Sequence, residues 1–143
     1  MKKIFLTFSL FVAQMLFAQE TDIKKSIATF FEGMHTGDTI KMQSVCSKHL
    51  LLQSVSDKPE RAKLSVEDKS EFYNSVATLP KDVKIEERLL DYKIQVDGPM
   101  AHVWTPYEFY VNGKLSHKGV NSFQLFKDNG IWKIVYIIDT RRK

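Results

Sequence analysis

Three turn signals at near-even spacing constrain this chain more than anything else in it. Asp97-Gly98-Pro99, Asn112-Gly113 and Asp128-Asn129-Gly130 separate four long runs rich in β-branched and aromatic residues. Asn-Gly and Asp-Gly supply the positive φ that tight hairpins require. Residues 83–139 therefore read as a four-strand antiparallel meander. Helical patterns precede it, so the expected class is α+β, with three N-terminal helices packed on one face of a curved antiparallel sheet. A short first strand at residues 50–55 completes that sheet.

Asp22 can cap a first helix whose Ile23, Ile27, Phe30, Phe31 and Met34 share one face, and Gly37 ends it. Asp38 or Thr39 can cap a short second helix with Ile40, Val45 and Cys46 turned inward. Residues 56–63 are polar, contain Pro59 and read as a loop. Ser65 with Asp68 three residues on resembles a capping box for a third helix, which carries Val66, Phe72, Val76 and Leu79 and stops at Pro80. Long antiparallel strands twist and curl, and a curled sheet closed by helices makes a cone with a hollow. Pro106 falls inside the second meander strand without an N–H to donate, so it marks a bulge or an edge.

Residues 1–18 read as a secretory signal peptide. Lys2 and Lys3 form a basic start, an apolar stretch too short to span a bilayer follows, and small Ala18 precedes Gln19. The expected mature chain, residues 19–143, is one domain, exported to a periplasm or the cell exterior and free of the membrane after cleavage. Losing Lys2 and Lys3 lowers the formal net charge from +4 to +2. The remaining basic residues are scattered except for Arg141-Arg142-Lys143, which argues against a nucleic-acid partner. Cys46 is the only cysteine, so no internal disulfide forms, and a buried apolar role is expected. His35, His49 and His102 lack metal-ligand spacing, and no phosphate loop or nucleophile elbow is present, so no metal or cofactor is expected.

The runs Leu89-Leu90-Asp91-Tyr92, Ala101-His102-Val103-Trp104, Tyr107-Glu108-Phe109-Tyr110, His117-Lys118-Gly119-Val120-Asn121-Ser122-Phe123 and Gly130-Ile131-Trp132-Lys133-Ile134, with the ending Asp139-Thr140-Arg141, carry a resemblance. Together they look like the nuclear transport factor 2-like superfamily, and more narrowly its bacterial secreted, lumazine-binding-like branch. The resemblance covers essentially residues 19–143 and is sharpest over 86–142. It implies a cone-shaped α+β barrel with a pocket, often dimeric through the sheet. Relatives include ketosteroid isomerase, polyketide cyclases, dehydratases and non-catalytic binding domains, so the fold alone names no activity. The isomerase site does not carry over. Its base sits near the first strand, where His49-Leu50-Leu51-Leu52-Gln53 has no carboxylate, and Phe30 and Phe31 stand where a tyrosine would be needed.

Counting outward from Asn112-Gly113 as a two-residue loop predicts the pairs Val111 with Lys114, Tyr110 with Leu115, Glu108 with His117, Pro106 with Gly119, Trp104 with Asn121 and His102 with Phe123. A similar count across Asn129-Gly130 sets Phe123 opposite Tyr136 and Leu125 opposite Ile134, with Trp132 on the same side. That side is the expected concave face. A bulge at Pro106 would move the count by one and reverse part of it. The expected ligand-binding residues are Trp104, Tyr110, His117, Asn121, Phe123 and Tyr136, a mixture suited to an apolar pocket with orienting hydrogen bonds. Glu108 opposite His117 can orient the imidazole as a base, or serve only as a structural pair. Glu86, Glu87 and Arg88 read as a solvated rim, and Asp139 with Arg141 as a terminal ion pair.

Three function classes remain open. The first is a non-catalytic exported domain holding a small apolar or planar molecule. The second is a cyclase, dehydratase or isomerase-type enzyme, with His117 as base, Glu108 as its partner and Asn121 or Tyr110 as donor. The third is an interaction module using Ile131, Val135 and Ile137. Residues 131–138 are apolar on both faces apart from Lys133, so the second face needs a cover, and a homodimer through the sheet is the simplest one.

Overall fold

The protein is described by a computed structural model covering residues 2–56 and 61–143, with side chains from Phe17 onward. The expected leader lies almost wholly outside the residues with described side chains, and residues 57–60 of the expected loop lie outside the described chain. The elements run α1 (Lys2–Thr36), α2 (Thr39–Ser44), β1 (Cys46–Ser56), β2 (Lys63–Glu67), α3 (Lys69–Ala77), β3 (Ile85–Leu89), β4 (Lys93–Asp97), β5 (Met100–Val111), β6 (Lys114–Asp128) and β7 (Ile131–Arg142). The class is α+β, as expected. The seven-stranded sheet has the order β2-β1-β7-β6-β5-β3, with β4 also paired to β5. It is mixed rather than wholly antiparallel, because β1 runs parallel to β7. None of the described helices is long and apolar enough to cross a membrane.

The hairpins form where the sequence signals them. Asn112 (φ 49°) with Gly113 (φ 74°), and Asn129 (φ 47°) with Gly130 (φ 84°), take positive φ at both central positions of two-residue loops. Across the first of these loops the predicted register then holds for only two pairs. Tyr110 faces Leu115, but the next pair is Phe109 with His117, leaving Ser116 as an extra residue on β6. Side chains alternate with a period of two, so a slip of one exchanges the faces. Glu108 therefore faces Lys118, Pro106 faces Val120, Trp104 faces Ser122 and His102 faces Gln124. A second bulge at Val135 puts Gln124 opposite Tyr136 and Phe123 opposite Ile137, while Leu125 keeps Ile134.

Pro106 acts on its other neighbour. The first meander run is two strands, β3 and β4, both paired to β5 and interrupted at residues 90–92. There the Pro106 carbonyl accepts from the Leu90 N–H at 2.9 Å, but proline has no N–H to return along that edge, and the ladder breaks.

Two of the three helix starts, those of α1 and α3, differ from expectation. Asp22 lies inside α1 and does not cap it. Asp38 caps α2, its Oδ1 accepting from the Lys41 N–H at 2.9 Å. Asp68, not Ser65, caps α3 by accepting from Ser70 N and Glu71 N at 2.8 and 3.0 Å. Ser65 and Val66 sit instead in β2, where pairing with β1 claims their backbone. Cys46 begins β1 rather than closing α2, and burial pushes its thiol up to about 11, which suits an inert packed side chain.

One core unites the two layers. Ile23, Ile27, Phe30, Phe31 and Met34 of α1 pack with Val103, Phe123, Leu125, Trp132 and Ile134 of the concave face. Phe31 meets Phe123 edge-on with ring centroids 6.1 Å apart. Full burial of side chains this size is worth about 1.5–3 kcal/mol each, so this contact helps fix α1 to the concave face.

Candidate functional site

A cavity of about 340 Å³ lies between α1, α3 and the concave face. Phe30, Phe31 and Met34 of α1, Phe72 and Val76 of α3, and Ile85 and Phe109 of the sheet form apolar walls. Phe30 and Phe72 stack with centroids 6.2 Å apart and planes 14° apart. Leu52, Leu79 and Ile137 add to these walls, and the polar lining comes mostly from the sheet strands, including Glu67, Glu87, Tyr107, His117, Asn121, Asp139 and Arg141.

Gly119 makes room for this polar end. A Cβ there would run into the Thr140 carbonyl and stand 2.9 Å from Cε1 of Tyr107, so the tyrosine ring lies across a strand position only glycine can offer. The Tyr107 hydroxyl, thus placed, donates to Asp139 Oδ2 at 2.9 Å and to the Thr140 carbonyl at 3.0 Å. Arg141 Nε donates to the same Asp139 oxygen at 2.9 Å. Burial and the Asp139 charge raise the Tyr107 pKa far above its usual range, so the hydroxyl stays a donor. Burial works against the Arg141 charge, but Asp139 keeps the guanidinium protonated.

Glu87 stands beside this group. Asn121, only 4% exposed, donates its Nδ2 to Glu87 Oε1 at 2.6 Å. Burial pushes the Glu87 carboxyl up to about 7; Asp139 adds to the effect, and the Asn121 bond and Arg141 oppose it. The Glu87 backbone N–H donates to His35 Nε2 at 2.8 Å, so that nitrogen carries no proton. Burial holds the His35 pKa down against the pull of Glu86 and Glu32. His117 stacks on Phe109 at 4.8 Å and meets Tyr107 edge-on at 5.8 Å. Burial and Arg141 keep it neutral, against Asp139. Burial also raises Glu67, at the β2 edge of the cavity.

Among the expected ligand-binding residues, His117 and Asn121 line the cavity. Phe123 faces the same way but is fully buried against Phe31 and belongs to the core. Trp104, at 43% exposure, projects from the outer face. Glu108 and Tyr110 share that face, with the Tyr110 hydroxyl donating to Glu108 Oε2 at 2.6 Å and the Arg88 guanidinium lying 4.1 Å over the Tyr110 ring. Tyr136 sits outside the cavity and its hydroxyl bonds to Gln53 Oε1. The expected Glu108–His117 pair is therefore corrected: the Ser116 bulge puts the two on opposite sides of the sheet.

Four cavity residues carry roles that the sequence reading did not assign them. Glu87 is no solvated rim, and Asp139 with Arg141 is more than a terminal pair, because Tyr107 ties both into the cavity wall. A signal for Glu87 exists: Ile85, Glu87 and Leu89 alternate, which places the carboxyl on the apolar side of β3. Among the described residues, no group of three or more His, Cys, Asp or Glu is arranged to hold a metal ion. What the cavity can do is enclose a small molecule against aromatic walls and exchange hydrogen bonds, or a proton near neutral pH, through Glu87.

No family model matches the chain, and no curated protein matches it. Solved structures do. An NTF2-like protein from Cytophaga hutchinsonii superposes with a TM-score of 0.70 at 13% identity, over 87% of this chain and 98% of that one. A protein of unknown function from Mycobacterium tuberculosis gives 0.71 at 13% identity, over 92% and 76%. A protein from Novosphingobium aromaticivorans, described provisionally as a scytalone dehydratase, gives 0.70 at 9% identity, over 92% and 89%. Identities this low carry architecture and no activity. The chain has the nuclear transport factor 2-like fold.

Proposed function

We propose that this protein is an exported domain that holds a small, largely apolar or planar molecule in its cone cavity and pairs with a second copy through the outer face of the sheet. The observation that carries the reading is the cavity itself: about 340 Å³ with aromatic walls and a few convergent polar groups. That is the usual composition and lower size range of small-molecule sites. Export rests on the leader at residues 1–18, and N-terminal sequencing of the mature protein should begin at Gln19. The second copy has an apolar outer face to meet, where Met100, Trp104 and Phe126 are exposed. Resemblance to the lumazine-binding-like branch puts flavins and lumazines first among ligands to try. The test is native mass spectrometry of protein purified without refolding, with a thermal-shift screen beside it. A co-purified small molecule or a shift of several degrees supports the reading; an empty cavity and no shift across the library contradict it.

Glu87 favours a second reading, an acid–base enzyme of the cyclase, dehydratase or isomerase type. A carboxyl near pKa 7 lining a cavity can take a proton from a bound molecule and return it. Asn121 holds one of its oxygens, and among the described residues none donates to the other. Solved neighbours from Novosphingobium aromaticivorans and Streptomyces avermitilis are described provisionally as dehydratases. Exchange of solvent deuterium into a bound ligand, abolished in Glu87→Gln, supports this role; exchange that persists in the variant removes it.

A further inference from the structure

The polar end of the cavity has more hydrogen-bond acceptors than donors. Among the described residues, three carboxyl groups, Glu67, Glu87 and Asp139, line it with a single cation, Arg141. That cation is spoken for: its Nε is given to Asp139, and the side chain is 51% exposed, so its free N–H groups have water available. The Tyr107 hydroxyl is likewise given to Asp139 and Thr140. Asn121 gives a donor to Glu87 Oε1. What remains is the second oxygen of Glu87 and Oδ1 of the 4%-exposed Asn121, neither of which receives a hydrogen bond among the described residues. An anionic head group would meet like charge here, whereas a cation with two N–H groups would complete both pairings. The Phe30–Phe72 stack and the Phe109–His117 stack offer flat surfaces to its body.

We propose that this end of the cavity receives the cationic head of a planar aromatic base, of the amidine or ring-fused aminopyridine type, with its N–H groups on the Glu87 carboxylate and Asn121 Oδ1. The proposal rests on the cavity reading above and specifies its ligand class. Its proton balance is simple. The protonated base enters, Glu87 releases its proton to solvent, and the product is a carboxylate–cation pair plus one proton. The groups facing Glu87 are Asn121 from β6, Asp139 and Arg141 from β7 and the Tyr107 hydroxyl from β5, which burial and the Asp139 charge keep protonated, with His35 from α1 accepting from its backbone N–H. Burial keeps the empty carboxyl mostly protonated below about pH 7, so affinity rises with pH up to that point and flattens above it.

The test is isothermal titration with benzamidine, benzamide and benzoate, each on a benzene and on a naphthalene ring. Benzamidine should bind about tenfold or more tighter than benzamide, and benzoate more weakly still. Glu87→Gln should reduce the benzamidine preference to about twofold or less. In the unmodified protein, titration in buffers of differing ionisation enthalpy should show proton release at pH 6, approaching one per ligand. That measurement decides the matter even if the variant fails to fold. Benzamide or benzoate binding as tightly as benzamidine, or a preference that survives in Glu87→Gln, overturns the ligand class while leaving the cavity a binding site. No heat from any of the six compounds overturns the ligand class and the binding reading together.

Discussion

Asn121 and Glu87 are 34 residues apart in the chain, and Asn121 Nδ2 donates to Glu87 Oε1 at 2.6 Å inside the cone. The bond links β6, near the middle of the sheet, to β3 at its edge, across β5. It satisfies a buried amide and fixes a half-buried carboxyl, and the desolvation of that carboxyl by the surrounding protein appears as a pKa of about 7 in place of 4.5.

This shift has a sign for stability. The folded state favours protonated Glu87, so the contribution is fully present below about pH 4.5 and is lost as pH rises through about 7. At about 1.4 kcal/mol per pH unit the loss amounts to roughly 3 kcal/mol as an upper figure. Glu87→Gln keeps an acceptor for Asn121 and has nothing to ionise. Urea unfolding should therefore show the variant more stable than the parent at pH 8 by up to about 3 kcal/mol, with the difference vanishing near pH 4. Parallel stability curves for the two proteins would show that Glu87 is not buried.

Gly119 is the second testable position. Its replacement by alanine sets a methyl against the Thr140 carbonyl and the Tyr107 ring. Overpacking of this kind costs about 1–3 kcal/mol. Gly119→Ala should lower the unfolding free energy by that amount and displace the Tyr107 hydroxyl from Asp139, visible as a downward move of the tyrosine pKa in an ultraviolet titration. An unchanged titration would mean that Tyr107 does not lie across Gly119.

Trp104 addresses assembly. On the outer face, 43% exposed beside the Met100–Phe126 pair, it is a natural anchor for a second copy. Light scattering should give a dimer for the parent and a monomer for Trp104→Glu, with the cavity's ligand response retained. A parent that is monomeric at 100 μM, roughly a hundredfold above a micromolar dissociation constant, would exclude this pairing.

The hairpins were legible because their requirement is local: Asn112, Gly113, Asn129 and Gly130 each take the positive φ their residue types permit. The inner face of α1 was legible from its spacing, and Ile23, Ile27, Phe30, Phe31 and Met34 are all buried. The bulges were not. Nothing in the chemistry of Ser116 or Val135 marks an unpaired strand residue, yet Ser116 alone exchanged the two faces of β5 beyond Phe109 and separated Glu108 from His117. Asp68 and Ser65 are both capable caps, and pairing of Lys63–Glu67 with β1, a nonlocal event, decides between them. Glu87 was hidden by Glu86 and Arg88, whose ion pair at 2.8 Å makes the segment look like a solvated rim although alternate residues turn inward.

The Glu87 carboxyl is held by the cone close to neutrality at physiological pH. A carbon-13 NMR titration of the Glu87 side-chain carboxyl reads it directly. The structure predicts an apparent pKa of about 7 in the empty protein, falling when a cationic aromatic base is bound. A midpoint near 4.5, the ordinary glutamate value, unmoved by such a base, would contradict it.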